Sequence, residues 1–119
     1  TPITLLHGRV PIAGFRFAWA EGKAGSAGGV MPLAYCTDVS SIPPETWPHL
    51  SGLSVLVLDA LRHRKHPTHF TLEQAESVAD RVEADRTFYV HMSHDLPHAE
   101  TDAKLSDGRA LAFDGLAVD

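Results

Sequence analysis

One cysteine, Cys36, is all the thiol these 119 residues contain. No internal disulfide can form, and no zinc site built on cysteines is possible. That usage suits a reducing compartment and gives a cytoplasmic expectation. Long apolar runs are missing as well: nothing approaches the roughly 18 to 20 residues that cross a bilayer, and no signal-peptide pattern opens the chain. Basic residues are in deficit, with 10 Lys and Arg against 15 Asp and Glu, for a net charge of -5. A nonspecific nucleic-acid surface needs clustered cations, so nucleic acid is not the expected partner. A phosphate substrate stays open, because bound metal ions would invert the local field. There is no initial methionine: the chain opens Thr1-Pro2 and runs almost at once into a strand, which reads as a fragment or a processed product.

What is present is a single core's worth of apolar residues, 44% of the chain with 21% charged, the balance of a globular domain. Ile3 to Leu6 reads as a strand ending at His7-Gly8. Phe15, Phe17 and Trp19 alternate with Arg16, Ala18 and Ala20 at the period of a strand. Glu21 to Gly29, with four of the nine glycines, reads as a flexible hairpin connection. Val30 to Thr37 is a second strand, followed by Asp38, and Ser41-Ile42-Pro43-Pro44-Glu45 reads as a helix start. Ser54 to Asp59 is nearly continuously apolar, as expected of a strand covered on both faces. Thr71 with Gln74 makes a capping-box pattern, and Leu72, Ala75, Val78, Ala79 and Val82 form one helical stripe. Thr87 to Val90 is a further strand leading into His91. A short helix over Ala99 to Leu105 and a closing hairpin, Ala110–Phe113 with Leu116–Val118 through Asp114-Gly115, complete the chain. The order predicts one α/β domain with a mixed sheet and flanking helices.

Polar residues stand just past strand ends at His7, Asp38, Asp59 and His91, where α/β folds collect ligands and catalytic groups. Histidine is plentiful, at eight in the chain; His49, His63 and His98 read as surface residues. Imidazole nitrogen and carboxylate oxygen are natural donors for zinc, manganese or iron at a hydrolytic site. An aspartate can bridge two cations, and water held between them becomes a nucleophile near neutral pH. The gaps between these residues are long, and spacing alone also allows turn and capping roles, such as an Asx-turn at Asp38.

The segments Leu6-His7-Gly8, Ala34-Tyr35-Cys36-Thr37-Asp38, Val57-Leu58-Asp59, His69-Phe70-Thr71-Leu72 and Val90-His91-Met92-Ser93-His94, in that order, resemble the second half of metallo-β-lactamase-fold hydrolases. The likeness is strongest to phosphoribosyl cyclic phosphate phosphodiesterases and more distant to ribonuclease Z. Leu111-Ala112-Phe113-Asp114-Gly115-Leu116 is similar to the close of the phosphodiesterase group, although Val90 stands where threonine is usual. The resemblance implies half of an αββα sandwich and a site with two divalent metal ions, zinc or manganese. It implies metal ligation by His7, Asp38 (as the bridge) and His91. It makes His69 the group that meets the substrate phosphate and protonates the leaving group. Asp59 would orient His69, and His94 would contact the phosphate or stand behind the ligands.

The family's His-x-His-x-Asp-His motif is absent, and no His-x-His occurs anywhere in the chain. The expectation is therefore residues 1–119 as the C-terminal part of one domain, inactive alone. The remaining ligands would come from an N-terminal half or another chain, with homo-oligomer formation a further expectation. The implied activity is hydrolysis of a small cyclic or diester phosphate. A ribonuclease Z-like nuclease is the alternative within enzymes; outside them stands a noncatalytic metal-binding or interaction module.

Overall fold

The computed structural model describes all residues except 22–24 and 26–27. The expected glycine-rich hairpin connection, with Lys23 in it, falls largely outside the described residues. Six strands form one sheet in chain order: β1 (Pro2–His7), β2 (Val10–Phe17), β3 (Leu33–Cys36), β4 (Val55–Asp59), β5 (Arg86–Val90) and β6 (Arg109–Leu111). The first two pairings are antiparallel and the last three parallel, which makes the mixed sheet the sequence leads one to expect. Parallel neighbours need crossovers. These are a 3-10 helix (Pro44–Leu50), helix α1 (Leu72–Val82) and helix α2 (His98–Asp102). Pro48 lies inside the 3-10 helix and lacks the N–H that an α-helical bond to Pro44 would require.

Crossovers of this kind are almost always right-handed. Three in succession, all stepping the same way across the sheet, put their helices on one face. That face holds the core: Cys36, Leu58, Tyr89 and Leu111 are successive partners in register, and all are buried. The stripe of α1 packs on it through Leu72, Ala75, Val78, Ala79 and Val82. Thr71 Oγ1 accepts from the Gln74 N–H at 3.1 Å, and Gln74 Oε1 accepts from the Thr71 N–H at 2.9 Å. Such a cap contributes about 1 kcal/mol, whereas burying Leu72, Val78 and Val82 contributes roughly 1.5–3 kcal/mol each. Packing therefore places this helix, and the cap sets where it starts.

The other face is only partly covered among the described residues. Phe15, Tyr35, Val57, Phe88 and Ala110 are also successive partners in register, one row lying across five strands. Phe15 and Tyr35 remain 44% and 42% exposed. This is an apolar sheet surface of the kind that lone domains keep covered.

Three sequence expectations change. Strand β2 begins at Val10 and stops at Phe17, so Trp19 lies beyond it. The tight His7–Val10 turn pairs the whole segment with β1, and Thr1 accepts the last inter-strand bond from Arg16 N–H at 2.8 Å. Strand β3 is shorter than expected, Leu33–Cys36. The closing hairpin does not form. Residues 109–111 instead add to β5 as a parallel edge strand, and Leu116–Val118 carry no strand. The Asp114-Gly115 turn is present, with Leu116 N–H donating to Phe113 C=O at 3.0 Å, but no strand follows it; the Asp119 carbonyl instead accepts from the Arg86 guanidinium of β5 at 2.9 Å.

Candidate metal and catalytic centre

Because β1 and β3 both run antiparallel to β2, they run parallel to each other. The C-terminal ends of β1, β3, β4 and β5 therefore share one sheet edge. His7 and Asp59 are the last residues of their strands, and His91 directly follows β5. Asp38 follows β3 by two positions. Strand direction alone thus gathers four of the expected site residues.

The loops between them are fixed closely. Gly8 adopts φ +65°, which favours glycine, and a Cβ there would press on Thr68 Cγ2 at 3.1 Å. Its N–H donates to Ser40 Oγ at 2.8 Å, and Ser40 Oγ donates to Leu6 C=O at 3.2 Å. Among the described residues, three that are not glycine have positive φ: Asp38 (55°), Glu83 (54°) and His91 (65°). Glu83 is the C-cap of α1. The other two are expected metal ligands. Left-handed backbone at non-glycine residues is strained, and such strain clusters at functional sites.

His7 Nδ1 lies 2.9 Å from the backbone carbonyl of Asp38. A carbonyl only accepts, so Nδ1 carries the proton and the Nε2 lone pair is left free. His69 Nδ1 lies 2.6 Å from Asp59 Oδ2, an oxygen that also accepts from the Val39 N–H at 2.9 Å. Asp59 is completely buried, and its other oxygen, Oδ1, has no hydrogen-bond partner among the described residues. Burial raises the Asp59 pKa, and the His69 contact opposes that shift. The His69 ring stacks on His91 at 4.6 Å and 14°, and meets His7 edge-on at 4.9 Å. Asp38 Oδ1 stands 3.2 Å from His91 Nε2 and 4.0 Å from His69 Nδ1.

One donor atom each from Asp38, Asp59, His69 and His91 can be chosen with all four within 4.8 Å of one another. The expected ligand trio was His7, Asp38 and His91. Among the described residues, this group holds Asp59 and His69 rather than His7, which stands beside it against the His69 ring. His94 is not brought in. Its side chain is 97% exposed and 3.5 Å from Asp95, because the turn after Ser93 carries it outward. His66 is not among the expected site residues, yet its ring centroid lies 5.1 Å from that of His69. The signal for it was its place in His66-Pro67-Thr68-His69, where a turn folds two histidines back on one another. Cys36 takes no part: burial pushes its thiol up to about 12, so no thiolate forms near neutrality.

The family described as a β-lactamase superfamily domain matches residues 1–92. A solved structure of a new diphosphatase from the PhnP family superposes with TM-score 0.83 at 45% identity, over 97% of this chain and 40% of that one. An octanoyltransferase from Porphyromonas gingivalis (strain ATCC BAA-308 / W83) is 30% identical over 117 residues, 97% of this chain but 21% of that protein. The chain thus spans two fifths of the solved relative and about a fifth of the curated one. A metallo-β-lactamase fold implies divalent metal ions, and the residues present fit them. Imidazole and carboxylate donors suit such cations, His7 offers a free Nε2, and Asp59 Oδ1 is a buried acceptor without a protein donor among the described residues. Family match and fold agree: this chain belongs to the β-lactamase superfamily and forms a fragment of a metallo-β-lactamase fold.

Proposed function

We propose that the chain is part of a metal-dependent phosphodiesterase acting on a small cyclic or diester phosphate, or a diphosphate. The observation that carries this reading is the buried Asp59–His69 pair beside Asp38 and His91. A buried carboxylate–imidazole pair costs desolvation that packing does not require. It serves to hold a ring in one tautomer with Nε2 presented to a substrate. A nuclease clamp finds little support in the basic loop, where the Arg62 guanidinium turns back onto the carbonyls of Arg64 and Lys65 at 3.0 and 3.1 Å.

His7, Asp38 and His91 are the residues that would hold divalent zinc or manganese, with Asp38 between two ions. Bound there, the ions supply Lewis acidity and a water acidified enough to act as a nucleophile. His69 then meets a phosphoryl oxygen through Nε2 and, when protonated, delivers that proton to the departing oxygen. Asp59 keeps the Nδ1 proton in place and supports the imidazolium. The further ligands, of the His-x-His-x-Asp-His kind, would be supplied by sequence outside these residues or by another chain. In the full-length protein, manganese or zinc should support turnover of a phosphodiester or diphosphate, and a chelator should abolish it until metal is restored. Turnover that survives complete metal removal, or none on either substrate class by metal-loaded protein, would sink this reading.

The exposed part of that sheet face bears on the partner. We propose that a second sheet covers the row from Phe15 to Ala110. Residues 1–119 in isolation should then self-associate, or capture the complementing half of the domain. Sedimentation at micromolar concentration checks this, and a well-folded lone monomer would count against it.

A further inference from the structure

His66 is half-buried on the same loop as His69 and is not needed by the mechanism so far. Its Nδ1 lies 3.3 Å from the Thr68 N–H and 3.2 Å from Thr68 Oγ1. A backbone N–H only donates, so Nδ1 must carry the lone pair. The ring proton is therefore on Nε2. This is the reverse of His7 and His69, whose Nδ1 atoms are the donors. An imidazole set with Nε2–H cannot bind a cation through that atom, because a protonated ring nitrogen has no lone pair in the ring plane to offer. It can donate to an anion.

The loop that carries this ring is held at both ends and across its middle. Leu61 N–H donates to Phe70 C=O and Leu72 N–H to Arg62 C=O, both at 3.0 Å. Phe70 N–H donates to Val39 C=O at 2.8 Å, which ties the loop to the Asp38 segment. The Arg62 side chain spans the middle. The donor is thus fixed beside His69, and little ordering remains to oppose binding.

We propose that His66 is a substrate-binding residue whose Nε2–H donates to a non-bridging phosphoryl oxygen next to the one His69 meets. The inference rests on the phosphate-ester reading above and extends it with a second imidazole, set to bind anion rather than metal. The test uses metal-loaded full-length protein and two replacements. Asparagine can still accept from Thr68 but has no donor at the Nε2 position; glutamine places an amide N–H near that position. Calorimetric titration with inorganic phosphate should show binding weakened about tenfold or more in H66N, as for a lost hydrogen bond to a charged group. H66Q should recover most of that loss, with metal content unchanged in both. On a phosphate ester, H66N should raise KM with kcat within about threefold, the pattern of lost uniform binding. Loss of metal from H66N would make His66 a ligand and overturn the proposal. Unchanged phosphate affinity in H66N, or equal weakening in both variants, would also overturn it. The phosphate titration decides the matter even if no ester is turned over, an outcome that would count against the phosphodiesterase reading alone.

Discussion

Asp38→Ala in the full-length protein is expected to remove bound metal and activity together. Asp38 Oδ1 lies 3.2 Å from His91 Nε2, and the carbonyl of the same residue fixes the His7 tautomer. Its carboxylate is also the only anionic side chain among the proposed ligands, so nothing else in that set offsets the charge of two cations. Losing an outer partner of a metal ligand typically costs about 10- to 100-fold in affinity or activity. Loss of the bridge itself should exceed that. The φ of 55° offers an internal control, because asparagine tolerates left-handed backbone about as well as aspartate. Asp38→Asn should keep the loop and still lose metal, which separates ligation from folding. Elemental analysis beside turnover decides the point, and a full metal complement in either variant would remove Asp38 from the ligand set.

His69→Ala should leave metal content intact and slow turnover by about 10² to 10⁴, the span of a lost general acid. The 2.6 Å contact with a wholly buried Asp59 presets the ring, so Asp59→Asn should fall between the two. The amide keeps the shape but loses the charge that supports imidazolium. Leaving-group chemistry distinguishes proton donation from simple phosphate contact. A nitrophenyl leaving group barely needs a proton, so the His69→Ala defect should shrink on an activated ester and persist on an alkyl one. Equal losses on both esters would restrict His69 to binding phosphate.

These residues differ in how far the sequence disclosed them. The Thr71–Gln74 cap and the α1 stripe are local patterns, readable without any tertiary contact. The strand ends at His7, Asp59 and His91 were legible because apolar runs stop abruptly at polar groups. Their convergence was less so, since it depends on β1 and β3 running the same way, which no local pattern encodes. The closing hairpin misled for a related reason. Asp114-Gly115 does make a turn, but the three residues of β6 take β5 as their partner, with Ala112 N–H reaching Tyr89 C=O at 2.8 Å. Arg109 then ties that edge to α1, 3.3 Å from Glu76. The resemblance of the Val90–His94 segment points to His94 as well as His91, yet one turn of backbone leaves the His94 side chain 97% exposed. The sequence does not single out His66, because its proposed role turns on which nitrogen carries a proton, and that depends on the contact with Thr68 in the folded loop.

Strand order along the sheet repeats strand order along the chain. Each strand can therefore dock against the one made just before it, and none has to be inserted between two already paired. Of the side chains at the shared edge, His7 is placed first, then Asp38, Asp59 and His69, and His91 last. A nascent chain growing from its N-terminus would hold an incomplete donor set until β5 had docked. If these residues hold cations, the share of the donor set that this segment supplies would be complete only when that last strand is in place.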